Sequence, residues 1–339
     1  MSLQQLGTRG EGSAGPMSLP GGSGVDDAAP VPDYTLRQLE YFVAVAESGS
    51  VTGAAARVHL SQSAMSTALS DLERVLGVQL LVRHHARGVT LTSAGEDLLS
   101  DARALLRQAQ DLESAATQHG SGVSGRVTLG CFAILAPYVM PRLLHEVGER
   151  LPDVELATTE EALDGLAEGL RHGRLELTLG YDLGHSAGIR HHPLFSVPPH
   201  VVLPVGHRAA GRRSVPLTAL EGEPLVLLDL PHSRDYFARL FEAAGVVPRV
   251  QYRTHSAETA RALVARGMGY TVLNLQAAHH VSLEGDPYAV VPLSSPLPRE
   301  ESDLRVVLAS SEGSRPTRRA QAVADLVASL FSSSPQPNR

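Results

Sequence analysis

Between Thr92 and Gln118 the sequence places Leu98, Ala102, Leu105, Ala109, Leu112 and Ala116 at spacings of 4, 3, 4, 3 and 4. Apolar residues on that period form the seam of a long helix that pairs with another helix. Asp97, Asp101, Arg103, Arg107, Asp111 and Glu113 flank the seam. These charges favour a free-standing dimerisation helix over one packed on its own domain. Thr92 can cap its start, and Gly120-Ser121-Gly122, through Gly125, reads as a hinge after its end. The seam divides the 339 residues into a short helical part before it and a longer part after it. That length suits two or three domains.

The part before the seam is punctuated for short helices. Leu36, Leu39, Val43 and Ala46 share one helical face, which stops at Ser48-Gly49-Ser50. Ser50 or Thr52 can cap a second helix carrying Ala54, Ala55 and Val58. Ser61 can cap a third, with Met65, Leu69, Leu72 and Leu76 inward and Gly77 as its left-handed terminator. Three helices in so few residues predict a helix-turn-helix unit. Val78–Val82 and Val89–Thr92, around a Gly-containing tip, predict a two-stranded wing. Residues 1–33 hold 18 Gly, Ser, Ala and Pro and no apolar period, so they are expected to be a disordered extension. Met1 and Met17 are both candidate starts.

After the hinge, strand and helix signals alternate. Strands are expected at Arg126–Gly130, Val154–Thr158, Leu175–Leu179, Val201–Pro204, Leu225–Leu228, Val250–Thr254 and Tyr270–Asn274. Helices are expected at Pro137–Arg150, Ala162–Arg171, Asp235–Ala244 and Ala257–Arg266, with a last helix carrying Val323, Val327 and Leu330. This is an α/β pattern with parallel strands, long enough for two lobes with a ligand at their switch point.

The formal charge of −7 argues against indiscriminate polyanion binding. Its distribution says more. Gln62, Ser63, Ser66, Thr67 and Ser70 face away from the third helix's apolar stripe. Taken alone, that is an ordinary solvated face. No acid, however, lies between Glu47 and Asp71 or between Glu73 and Glu96, whereas Arg57, Arg74, Arg83 and Arg87 do. Short polar side chains and an amide on an acid-free helix end suit the major groove, where glutamine can contact adenine bidentately.

The run Leu36-Arg37-Gln38-Leu39-Glu40-Tyr41-Phe42, then Ser48-Gly49-Ser50, Ala54-Ala55-Ala56, Leu60-Ser61-Gln62-Ser63-Ala64-Met65-Ser66, Leu72-Glu73, Leu80-Leu81-Val82-Arg83 and Leu91-Thr92-Ser93-Ala94-Gly95 resembles the winged helix-turn-helix of LysR-type transcriptional regulators. The resemblance covers residues 35–332. It implies an α/β multidomain chain: an N-terminal winged helix-turn-helix at 34–93, a long linker and dimerisation helix at 94–121, and an effector-binding domain at 122–332. That last domain would resemble two-lobed periplasmic binding proteins, with lobe one at 124–197 plus 296–332, lobe two at 198–295, and a disordered tail at 333–339. The implied partners are double-stranded promoter DNA, a small-molecule effector and further copies of the chain: a homodimer through the linker helix, and a homotetramer as is usual in the family. DNA contacts would come from Gln62, Ser63, Ser66, Thr67, Arg57, Arg83, His84 and Arg87. Many relatives carry proline where Ser63 stands and arginine where Thr67 stands, so this groove surface has one cation fewer.

The effector would sit beside Cys131, Phe132, Ala133 and Ile134, where strand turns into helix, opposite Pro231, His232, Ser233, Ser256, Tyr270 and Asn274 of lobe two. Phe132 and Ile134 replace the Ser or Thr of many relatives, which predicts a more apolar wall and weighs against simple carboxylate recognition. Ser233 and Ser256 also fit helix caps. The family includes peroxide sensors with a cysteine pair in lobe two. Cys131 is the single cysteine here, so an intramolecular disulfide and a cysteine-based zinc cluster are both excluded. The 15 histidines include no metal-ligand spacing, and no nucleophile elbow, Walker loop or dinucleotide fingerprint occurs, so neither metal, cofactor nor enzymatic activity is expected. The absence of a signal pattern or an apolar span leads to the expectation of a cytoplasmic protein with no membrane partner.

Overall fold

The computed structural model describes residues 32–84, 88–117, 123–182, 187–231, 233–313 and 315–331. The expected N-terminal extension up to residue 31, the glycines at 120 and 122, Arg87, His232 and the tail at 333–339 lie outside the described residues. Three helices open the fold. α1 (Leu36–Ser48) starts in a capping box between Thr35 and Gln38 and ends at Gly49, φ 62°. α2 (Val51–Arg57) is capped by Ser50. α3 (Gln62–Leu76) is capped by Ser61 and ends at Gly77, φ 68°. Between α2 and α3 the chain passes through the left-handed region at His59, φ 56°. Leu39, Phe42, Val45, Met65, Leu69 and Leu72 form the core that fixes the crossing of these helices.

The wing is β1 (Leu81–His84) and β2 (Gly88–Leu91), paired antiparallel. Its first strand begins three residues later than the apolar run suggests. The Glu73 carboxylate accepts the Leu80 and Leu81 N–H groups at 2.8 and 3.1 Å, which holds the preceding residues in a connector. The Val89 N–H donates to the Gly49 carbonyl at 2.8 Å. Gly88 has φ 85°, and a Cβ there would lie 2.4 Å from the Gly49 oxygen, so only glycine fits the joint.

α4 (Ser93–Thr117) is 25 residues long, and the Thr92 hydroxyl caps it through the Gly95 N–H at 3.0 Å. Its seam divides in two. Leu98 and Ala102 pack on the helical head together with Leu99 and Leu106. Leu105 and Leu112 stay 37% and 73% exposed.

The chain continues through β3 (Gly125–Phe132), α5 (Ala136–Arg150), β4 (Val154–Glu161), α6 (Leu163–Arg171), β5 (Leu177–Tyr181) and β6 (Ile189–Val197). It crosses at Pro198-Pro199 into β7 (His200–Pro204), β8 (Pro224–Leu228), α7 (Ser233–Ala243), β9 (Arg249–Thr254), α8 (Ala257–Ala265), β10 (Thr271–Leu273) and β11 (Tyr288–Pro292). It then returns as α9 (Arg299–Ser302), β12 (Leu304–Ser311) and α10 (Arg318–Phe331). The first lobe is one five-stranded sheet in the order β4-β3-β5-β12-β6. The second holds β10-β7-β11 and the pair β8-β9, bridged at Leu225–Tyr270. The all-parallel expectation is corrected to mixed sheets. β3 runs parallel to β4 and β5, but β12 is antiparallel to β5 and β6, and β7 is antiparallel to both its neighbours. β12, which re-enters lobe one, therefore runs against the direction of its βαβ strands, whereas β6, antiparallel to β12, runs with them.

A hydrogen-bonded chain locks the two crossovers together. Asn274 Nδ2 donates to the Val197 carbonyl at 3.1 Å and to the Tyr236 hydroxyl at 2.8 Å, and that hydroxyl donates to the Ser302 carbonyl at 2.6 Å.

Candidate nucleic-acid interface and effector cleft

The N-terminal end of α3 carries Gln62, Ser63 and Thr67 exposed and Ser66 half-buried. Because Ser61 takes the Ala64 N–H as the cap and lies 3.0 Å from the Ser63 hydroxyl, the first turn is fixed and the other side chains point outward. Arg83 is exposed on β1. His84 is tied across the wing, with Nε2 2.9 Å from the Thr90 hydroxyl. Arg57 is exposed but engaged: it donates to Glu47 at 2.9 Å. The other Glu47 oxygen accepts from Arg103 of α4 at 3.1 Å, and Arg103 in turn donates to the His172 carbonyl of lobe one at 2.6 Å. Arg107 donates to the Gly173 carbonyl at 2.8 Å, and Asp111 accepts from the Arg318 N–H at 2.9 Å and from the Arg319 guanidinium. α4 therefore joins the head to the sensor through charged contacts at several points along its length.

Between the lobes, Phe132, Ile134 and Tyr181 face Leu228, Ser233, Phe237, Arg261, Leu273 and Asn274 around a cavity of ≈ 20 Å³. That is room for about one water, so the cleft is closed. Four of the expected effector residues, Phe132, Ile134, Ser233 and Asn274, meet here. The other described ones do not line the cavity. Ala133 is exposed, and its N–H donates to the Glu161 carbonyl. Pro231 is exposed, Ser256 caps α8 through the Thr259 N–H, and Tyr270 is buried in lobe two without lining the cavity. Cys131 is buried beside Phe132; burial, with a smaller contribution from the Glu160 charge, pushes its thiol up to about 12. The start of α5 is a poor anion cradle: Pro137 has no N–H, and the Tyr138 N–H donates to the Leu135 carbonyl.

The polar group that dominates the cleft is Arg261, which the sequence reading does not single out. Its side chain is 2% exposed. It donates to the Glu258 carboxylate, to the Leu275 carbonyl at 2.5 Å and, across the cleft, to the Tyr138 hydroxyl at 3.0 Å. The signal was present: Ala257, Ala260, Arg261 and Val264 share one helical face, so the apolar stripe of α8 carries a cation.

A helix-turn-helix head whose reading-helix N-terminus and wing lack acids, joined to a two-lobed sensor, defines a DNA-binding regulator that responds to a small molecule. Residues 36–96 match the profile of the bacterial regulatory helix-turn-helix protein, LysR family, and residues 120–332 match that of the LysR substrate binding domain. The chain belongs to the LysR family of transcriptional regulators.

It is 34% identical to a probable hydrogen peroxide-inducible genes activator of Mycobacterium avium, over 89% of this chain and 96% of that one. It is also 34% identical to the DNA-binding transcriptional dual regulator OxyR of Escherichia coli, over 70% and 78% of the two chains. Among solved structures, a full-length OxyR variant from Pseudomonas aeruginosa superposes with a TM-score of 0.67 at 26% identity, covering 89% of this chain and 99% of that one. CbnR complexed with its target DNA gives 0.51 at 26%, covering 86% and 98%. Among the described residues no helix is long and apolar enough to cross a membrane.

Proposed function

We propose that this regulator binds promoter DNA as a homodimer paired along α4, and in pairs of dimers as a tetramer, in the cytoplasm. Gln62, Ser63, Ser66 and Thr67 enter the major groove, while Arg57, Arg83, His84 and Arg87 hold the flanking phosphates. The units are a head at 34–93, a linker at 94–121 and a sensor at 122–332. An effector entering the cleft parts the lobes and reaches the head through α4. The observation that carries this reading is the continuous polar chain from Arg57 through Glu47 and Arg103 to the His172 carbonyl, which ties the head surface to lobe one. The single cysteine supports an effector that acts without an intramolecular disulfide. The test is a gel shift with the DNA upstream of the protein's own gene. Replacing Gln62 and Ser66 with Ala removes base contacts, each bidentate pair being worth about 1–3 kcal/mol. Specific binding is expected to fall at least about thirtyfold while non-specific binding stays. Unchanged specific affinity rejects the groove assignment.

A further inference from the structure

We infer that the cleft recognises a small apolar organic anion, and that Glu258 is a tethered carboxylate holding that anion's place. This rests on the reading of the cleft as the effector site. A cation as buried as Arg261 needs a counter-charge, because an uncompensated buried charge is strongly destabilising. Glu258 supplies it from the preceding turn of the same helix. The two partners differ in freedom. The Glu258 side chain is 42% exposed and reaches water by rotating, whereas Arg261 has no route to solvent. An incoming carboxylate can therefore replace Glu258 at Arg261 and let Glu258 hydrate.

The same ligand would meet the Tyr138 hydroxyl of lobe one, 3.0 Å from the guanidinium, so one anion would bridge both lobes. The rest of the wall asks for an apolar body: Phe132, Ile134, Leu228 and Phe237 surround the space. One negative charge matches this wall, since Arg261 is the single basic residue among the described ones that line the cavity. The weakness of the α5 helix end as an anion cradle is thus made good from the opposite lobe.

The experiment is calorimetric titration of the full-length protein with benzoate and with 3-methylbutanoate, each beside its primary amide as uncharged control, run on wild type, Glu258→Gln and Arg261→Gln. At least one carboxylate is expected to bind, with its amide at least about tenfold weaker. Glu258→Gln, which removes the internal competitor, is expected to bind the carboxylate about tenfold tighter, and Arg261→Gln at least about tenfold weaker. A purely structural Arg261 predicts no gain in Glu258→Gln. If one of the two variants does not fold, the amide comparison on wild type and the other variant decide. The inference is overturned if neither carboxylate binds wild type or Glu258→Gln, if the amide binds as well, or if Glu258→Gln gains nothing. A parallel gel shift separates the two readings. Carboxylate binding that leaves DNA retardation unchanged upholds the anion site and rejects the cleft as the effector site. A DNA response to an amide, unaffected by Glu258→Gln, does the reverse.

Discussion

At the scale of single residues, the cleft is built from side chains whose ordinary chemistry has been changed by burial. Cys131 is the plainest case. A thiol pushed up to about 12 from an ordinary 9.0 holds roughly a thousandfold less thiolate at pH 8. Iodoacetamide at pH 8 is therefore expected to label the native protein at least about a thousandfold more slowly than the urea-unfolded chain, read by mass spectrometry; complete native labelling within minutes contradicts this. Cys131→Ser is expected to leave DNA binding unchanged before and after peroxide treatment. Sequence reasoning placed Cys131 at the strand-to-helix turn beside the effector, and the structure buries it near the end of β3. It did not foresee Arg261, because a charged residue on an exposed-looking helix is normally solvated. Its burial comes from contacts distant in sequence: the Leu275 carbonyl of its own lobe and, more than a hundred positions away, the Tyr138 hydroxyl of lobe one.

At the scale of elements, legibility followed local punctuation. The caps at Ser50, Ser61 and Thr92 and the terminators Gly49 and Gly77 act within a turn of themselves, so the head could be read almost residue by residue. β6 escaped because it is an edge strand with Arg190, His191, His192 and Pro193 in its first half, a composition that lacks an apolar period. Its partner β12 is antiparallel, and nothing local in the chain announces a strand returning from another lobe. α4 was read as a pairing helix along its whole seam. Its first half packs on the head, which leaves Leu105 and Leu112 as the exposed remainder. Replacing Leu112, 73% exposed, with Glu is expected to shift the full-length protein toward monomer in sedimentation velocity while leaving its unfolding midpoint within about 2 °C. An unchanged oligomeric state moves the dimer contact away from this stripe.

At the scale of the whole molecule, the sensor and the head meet through α4, and Arg103 is the residue that touches all three parts. Arg103→Met keeps the apolar stem and removes the donors. It is expected to cost about 1.5–3 kcal/mol, the range for hydrogen bonds to charged groups, and to split the calorimetric unfolding profile into separate head and sensor transitions. A single transition at the wild-type temperature removes Arg103 from the connection. The order of a helix-turn-helix head before a longer α/β part was legible early, since caps and strand–helix alternation are sequence-local features; the docking of α4 on lobe one was not, because Arg103 and Arg107 bond backbone carbonyls that carry no residue identity.

The sharing of Glu47 between Arg57 and Arg103 has an electrostatic corollary. One carboxylate cannot neutralise two guanidinium groups, so the net charge that the head presents to DNA depends on where Arg103 is. A movement that draws Arg103 away leaves Glu47 wholly to Arg57 and removes part of a cation from the surface proposed to face DNA. Binding to an operator would then differ between sensor states in the steepness with which it weakens as salt rises. The signal would arrive as a count of displaced counterions, with no displacement of the reading helix required.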